Sequence, residues 1–129
     1  MADIVDTHAL VWYLEGGDKL GPNARNMLNR TSERLIIPTI VLCEAKYIAE
    51  RGRTQIRFEQ LLNFVSYDHR FIIHPIDENV AQAMPVELNI HDGIICGTAL
   101  LYQRFFGEET SIITKDEAIK NWGVIPTIW

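Results

Sequence analysis

Residues 2–14 read ADIVDTHALVWYL, an apolar segment that reaches Asp6 and then passes directly into a second apolar stretch. Residues 2–6 have the length and composition of a buried strand, and residues 8–14 have helical character. An unpaired carboxylate in an apolar setting is costly unless it takes up a proton. Asp6 therefore either caps the following helix or meets side chains from other segments.

The rest of the chain repeats this alternation of short apolar strands and amphipathic helices. Strands are predicted at residues 2–6, 34–38, 70–76, 110–114 and 124–128. Helices are predicted at residues 8–14, 21–30, 39–52, 54–67, 77–84, 91–105 and 115–121. Such alternation with short connections predicts one α/β domain over residues 1–129, a three-layer α/β/α sandwich around a mostly parallel five-stranded sheet.

The helix predicted at residues 39–52 has the clearest boundary signals. Thr39 is expected to be its N-cap, and Gly52 is expected to end it. Its apolar residues recur at helical spacing, which predicts an amphipathic helix: Ile40, Cys43, Tyr47 and Ile48.

Composition places the chain among ordinary globular proteins, with 47% hydrophobic and 22% charged residues. Because no apolar run approaches the roughly 20 residues of a membrane span, and no basic-then-apolar leader is present, we expect no membrane association and a cytoplasmic location. Two cysteines are too few for a disulfide framework, and both Cys43 and Cys96 are expected to be buried packing residues.

The formal charge of −5 argues against a simple basic footprint on nucleic acid. It does not exclude a nucleic-acid enzyme, because a cluster of metal-binding carboxylates would supply part of the surplus.

Four acids stand out by position. Asp6 ends the first strand, Asp116 follows the fourth strand by two residues, and Asp92 opens the helix at 91–105. Glu44 lies within an otherwise apolar helical stretch, where a carboxylate needs a partner. Because polar sites in parallel sheets collect beyond the carboxyl ends of the strands, these acids are candidates for one site.

Each acid also has a purely structural explanation. Asp92 and Asp116 could each be an N-cap of the helix that follows, and Glu44 could pair with Lys46 or Arg51. Three acids falling at the same predicted edge of the sheet favour the shared site.

Four carboxylates without a cysteine or histidine partner favour a hard cation with oxygen ligands, Mg²⁺ or Mn²⁺. Two such ions can hold an attacking water and a leaving oxygen in line at a phosphodiester. Thr7 and Thr114 flank the acids and could donate hydrogen bonds to a carboxylate or a phosphate.

Four motifs in order resemble those of the PIN-domain nucleases, and more narrowly the VapC-type toxin ribonucleases of VapBC toxin–antitoxin pairs. They are IVDTHALVW at 4–12, VLCEAKYIAERG at 41–52, HDGIICGTAL at 91–100 and IITKDEAI at 112–119.

The resemblance implies the PIN-like sheet described above and an acidic pocket holding Mg²⁺ or Mn²⁺ that hydrolyses RNA. It implies Asp6, Glu44, Asp92 and Asp116 as metal-binding and catalytic acids, with Thr7 and Thr114 in supporting positions. It also implies a VapB-like antitoxin partner and a homodimer, symmetric pairs being the commonest oligomers.

The chain departs from the family pattern after the third acid, where Gly93, Cys96 and Gly97 replace a basic or polar residue and alanines. A glycine inside a helix costs about 1 kcal/mol relative to alanine, which predicts close packing against another backbone at Gly97.

Other classes fit less well. A receiver domain would need paired acids after the first strand, and a haloacid-dehalogenase-type phosphatase would need an aspartate at position 8, which is histidine. The remaining alternative is a catalytically silent PIN-like module that binds protein or RNA.

Overall fold

One all-parallel sheet organises the molecule, with its strands in the order β3-β2-β1-β4-β5. We determined this arrangement from a computed structural model, which describes residues 1–30 and 34–129. The strands in these residues are β1 (Ala2–Val5), β2 (Arg34–Pro38), β3 (Phe71–His74), β4 (Thr110–Ile113) and β5 (Thr127–Ile128).

Helices connect the strands and flank the sheet. They are α1 (Thr7–Glu15), α2 (Pro22–Asn29), α3 (Thr39–Glu50), α4 (Phe58–Tyr67), α5 (Glu78–Ala83), α6 (Ile90–Leu100), which continues as a π-helical turn (Leu101–Phe105), and α7 (Glu117–Trp122). Every residue of β1 and β4 is buried, so both faces of the sheet are covered. The predicted single-domain α/β sandwich is therefore confirmed, with the sheet entirely rather than mostly parallel.

The predicted elements occur in the predicted order, and the differences lie at their ends. β3 stops at His74 because Pro75 has no N–H to donate to a neighbouring strand. α4 begins at Phe58 rather than at residue 54, because the Thr54 hydroxyl accepts a bond from the Ile56 N–H (3.2 Å) and forms a turn there.

The sequence predicts Thr39 as the N-cap of α3, and this prediction is wrong. Pro38 occupies that position, and the Thr39 hydroxyl instead donates to the His74 carbonyl (2.9 Å), which ties the start of α3 to the end of β3.

The buried face of α3 also differs from its most regular apolar stripe. The buried residues are Val41, Leu42 and Ala45, whereas Cys43 is exposed and Tyr47 is 52% exposed. The prediction that both cysteines are buried is thus wrong for Cys43, while Cys96 is fully buried. The stripe is apolar for another reason, since it lines a cavity described below.

The two glycines of α6 pack against the end of α5. A Cβ on Gly97 would lie 2.9 Å from the Met84 Cα and 3.0 Å from the Val80 carbonyl oxygen. A Cβ on Gly93 would lie 3.0 Å from the Pro85 carbonyl oxygen. The close backbone approach predicted from Gly97 is confirmed, and the same contact accounts for glycine at position 93.

Candidate active site

Parallel pairing of β1 with β4 sets the first part of the site. Val5 pairs with Ile113, and the Asp6 N–H donates to the Ile113 carbonyl (3.1 Å). The register therefore brings Asp6 beside Thr114, whose hydroxyl donates to Asp6 Oδ2. Because the chain moves outward from β1 through β2 to β3 and then returns to β4 on the other side of β1, these residues lie where the strand order reverses.

Asp6 is also the N-cap of α1, since its Oδ1 accepts from the Thr7 N–H (2.7 Å). The structural and functional explanations of this residue are thus compatible. One carboxylate both begins the helix and meets the end of the neighbouring strand.

Glu44 joins the site from α3. The buried Thr7 hydroxyl donates to Glu44 Oε1 (2.8 Å), and His91 Nδ1 lies 3.4 Å from Glu44 Oε2. The alternative pairing with Lys46 or Arg51 is wrong, because Lys46 lies over the Phe58 ring and Arg51 over the Tyr47 ring. Glu44 instead connects the residue after Asp6 with the residue before Asp92.

Asp92 lies in the first turn of α6, but it is not the N-cap. Asn89 occupies that position, and its Oδ1 accepts from the Asp92 N–H (3.0 Å). The Asn89 Nδ2 donates in return to Asp92 Oδ2 (2.7 Å), which fixes the carboxylate. Sequence reasoning did not identify Asn89, although its position three residues before an acid at a helix start is a usable capping signal.

Asp116 is the N-cap of α7, which confirms the structural explanation given for it above. Its Oδ1 accepts from the Ile119 N–H (3.0 Å), and its own N–H donates to the Thr114 hydroxyl (3.0 Å). Thr114 therefore bridges the acids that follow β1 and β4.

The protonation behaviour of the acids shows that they share one electrostatic environment. Burial raises the pKa of Asp6, and the charges of Glu44 and Asp116 raise it further, against hydrogen bonds from Thr114 and Thr7 that lower it. Burial likewise raises the pKa of Asp92, together with the charges of Asp116 and Glu44. Repulsion among the acids thus contributes to the raised pKa of both Asp6 and Asp92, although burial is the larger cause.

Cys96 lies one helical turn beyond Asp92, and the charges of the same acids act on its thiol. Burial raises the pKa of its thiol to about 12, and the charges of Asp92, Asp6 and Asp116 contribute. The thiol is thus kept neutral beside the acids.

The donor set suits a hard cation, because it consists of carboxylate oxygens, and the charges of Asp6 and Asp92 are costly where they stand. Within residues 1–30 and 34–129, no three His, Cys, Asp or Glu side chains are arranged closely enough to hold a metal ion together. Mg²⁺ does not need three, since it keeps several waters and binds through one or two carboxylates and the phosphates of a substrate. The metal-binding roles of Asp6, Glu44, Asp92 and Asp116 remain predictions.

Comparison with known proteins identifies the family. The family model for the PIN domain matches residues 4–123. A toxin–antitoxin complex from Klebsiella pneumoniae contains a similar chain, with a TM-score of 0.65 at 21% identity, over 98% of this chain and 96% of that one. The structure of VapBC2 from Rickettsia felis bound to a promoter DNA fragment contains another, with a TM-score of 0.69 at 15% identity, over 98% and 97%. A search of curated proteins finds no match. The structures establish the fold at these identities, and the family model, which spans nearly the whole sequence, shows that this chain belongs to the PIN-domain family.

Proposed function

We propose that this protein is a divalent-metal-dependent endoribonuclease that hydrolyses RNA phosphodiester bonds, as the VapC-type toxin of a VapBC pair. The observation that carries the proposal is that four acids from separate segments approach the point where the strand order reverses, where the charges of Glu44 and Asp116 act on both Asp6 and Asp92. Two of them, Asp6 and Asp92, have a raised pKa because the folded chain holds their charges at a cost.

The arrangement suggests a division of roles. Asp6 and Asp92 would be the principal ligands of Mg²⁺ or Mn²⁺, with Asp116 completing the site directly or through water. A bound divalent ion supplies Lewis-acid stabilisation of charge on the phosphate and lowers the pKa of water. Glu44, oriented by the Thr7 hydroxyl, accepts a proton from the attacking water or holds that water in place.

Thr114 has a positioning role in this scheme. Its hydroxyl donates to Asp6 Oδ2 and accepts from the Asp116 N–H, so it holds the acids of β1 and β4 in one orientation. Hydrogen bonds from neighbouring groups orient the carboxylates that would bind a metal ion.

The assembly follows from the same proposal. Both structural relatives are described as toxin–antitoxin complexes, and one is bound to promoter DNA. We infer a VapB-like antitoxin as the protein partner, a homodimer of this chain, and a cytoplasmic site of action on RNA. Among the described helices, none combines the length and the apolar character needed to cross a membrane.

The test is cleavage of single-stranded RNA in Mg²⁺ by Asp6→Asn and Asp92→Asn. Each should lose at least about 100-fold in kcat/KM, because each removes a ligand charge while keeping the side-chain shape. Asp18→Asn is the matched control, since Asp18 is an exposed acid in the α1–α2 connection, and it should cleave like the wild type. Wild-type rates from both site variants would refute the assignment.

A thermal titration distinguishes the nuclease from a silent binding module. Mn²⁺ at ten times its Kd should stabilise the wild type by about 1.4 kcal/mol, a rise of a few degrees in the unfolding midpoint. Asp92→Asn should lose most of that rise. An unfolding midpoint of the wild type that does not change in millimolar Mn²⁺ would favour the silent binding module.

A further inference from the structure

A cavity of about 580 Å³ opens next to the acid cluster, between α1 and α3. It shares Glu44 and His91 with the site described above, so the two are continuous. Its size falls within the roughly 300–1,000 Å³ of pockets that hold small molecules.

The wall of this cavity is largely apolar and aromatic. Val11 and Trp12 of α1 face the regular apolar stripe of α3, whose members at the cavity are Ile40, Cys43, Tyr47 and Ile48. This explains why that stripe is apolar although, of its four members, Ile40 alone packs against the core. An apolar surface kept beside a polar site is typical of a binding pocket.

Two exposed cations, Lys19 and Arg53, line the same cavity. They also line a second cavity of about 420 Å³, so they lie where the two cavities adjoin. The Lys19 ammonium is 5.9 Å from the centroid of the Trp12 ring, and that of Lys115 is 4.5 Å from it. In a chain with a charge of −5, the two cations that line this largely apolar cavity are complementary to an anionic ligand.

We propose that this cavity binds one nucleotide of a single-stranded RNA, with its base against the wall formed by Val11, Trp12 and Tyr47 and its neighbouring phosphates at Lys19 and Arg53. The inference rests on the proposed nuclease function and deepens it, because it names the part of the substrate held beside the scissile bond. The strand continues past the two cations into the second cavity.

The combination of features favours a nucleotide over a peptide. Aromatic side chains stack on any base, and cations along a groove follow the phosphates, which together are the recognition mode of single-stranded nucleic acid. Duplex RNA presents its bases stacked inside the helix, so it cannot place a single base against the apolar wall of this cavity. A peptide segment would use the apolar wall but would not require both cations.

Binding of a fluorescently labelled hexauridylate RNA tests the proposal. The measurement is made in EDTA, so it does not depend on metal binding or on cleavage. Lys19→Gln and Arg53→Gln should each raise Kd by at least about threefold at low salt and reduce the slope of log Kd against log salt by about 0.7, the value for one lost phosphate contact on a single strand. Both side chains are exposed, so neither change threatens folding.

Arg104→Gln is the matched control, because it makes the same charge change at an exposed position in the π-helical turn beyond α6, at the opposite end of that helix from Asp92. It should change neither Kd nor slope. Linear polyphosphate with the same charge as the hexamer tests the base, and it should bind at least about tenfold more weakly, as stacking of a base adds about 1–3 kcal/mol.

The possible results test separate parts of the proposal: the base in the cavity, the cation subsite and the nuclease activity. Equal affinity for polyphosphate and RNA would overturn the placement of a base in the cavity. Unchanged RNA binding in both cation variants would overturn the subsite. RNA binding that depends on Lys19 and Arg53 in a protein that does not cleave RNA in Mg²⁺ would support the subsite and refute the nuclease.

Discussion

Replacing Thr7 by valine isolates the contact that orients Glu44. Thr7 is 3% exposed, and its hydroxyl donates to Glu44 Oε1 at 2.8 Å. Valine has nearly the same shape and the same branching at Cβ, so it fills the space and removes only the donor. Thr7→Val should therefore leave α1 in place and free the Glu44 carboxylate to rotate.

The size of the effect follows from the bond that is lost. A hydrogen bond to a charged acceptor contributes about 1.5–3 kcal/mol. Because the Glu44 side chain is still 29% exposed, water replaces part of the bond, and the lower end of that range, about 1.5–2 kcal/mol, applies. At 1.4 kcal/mol for each factor of ten, we expect kcat/KM for RNA cleavage to fall by about 10- to 30-fold.

The assay compares kcat/KM of wild type, Thr7→Val and Thr7→Ser on the same single-stranded RNA in Mg²⁺, with circular dichroism to verify folding. Serine keeps the hydroxyl, so Thr7→Ser should remain within about threefold of the wild type. A folded Thr7→Val protein with wild-type kcat/KM would refute the positioning of Glu44 by Thr7.

Three further predictions concern stability and accessibility. Asp6→Asn should raise the unfolding midpoint of the metal-free protein by a few degrees at pH 7–8. Folding raises the pKa of Asp6, so the charged carboxylate destabilises the folded state. The stabilisation by asparagine should therefore shrink as the pH falls and vanish below the unfolded-state pKa of about 3.8. A midpoint difference that is independent of pH would contradict this. Gly97→Ala should destabilise the protein by about 1–3 kcal/mol in a denaturant titration, because the backbone of α5 must move to make room for the new Cβ. Gly93→Ala should cost less, because the contact at Gly93 is slightly less tight. Equal free energies of unfolding for the wild type and Gly97→Ala would be evidence against this packing. A thiol reagent should modify exposed Cys43 in the native protein and Cys96 only on unfolding, and two fast thiols would show that α6 opens.

The strands and the place of the site could be predicted because they depend on short-range patterns. A buried parallel strand is a brief segment rich in apolar residues, and the segments predicted at residues 2–6, 34–38 and 110–114 contain the observed strands. Once the strands are parallel, the acids that follow them must lie at one edge. The elements of Asp6 and Asp116 could thus be placed near each other without knowledge of any side-chain contact.

The contacts within the site could not be predicted, because they depend on how helices pack. The sequence does not show that Thr7 reaches Glu44 across 37 residues, or that His91 approaches the same carboxylate. Helical spacing alone also cannot distinguish an apolar face that meets the core from one that lines a cavity. That is why the expectation that Cys43 is buried is wrong.

The raised pKa of Asp6 bears on the choice between the proposed nuclease and a silent module. Asp6 Oδ1 accepts from the Thr7 N–H, and Oδ2 accepts from the Thr114 hydroxyl. In an asparagine the carbonyl oxygen would keep the first bond, and the amide nitrogen could donate to the Thr114 oxygen, with no charge on the side chain. These contacts therefore do not require a charge, and the raised pKa of Asp6 means that the charge destabilises the folded chain at neutral pH. A module that only binds a partner would gain stability by losing that charge, whereas a site that must attract a divalent cation requires it. Because such local costs are characteristic of functional positions, the unfavourable charge at Asp6 favours metal chemistry over the binding-only alternative.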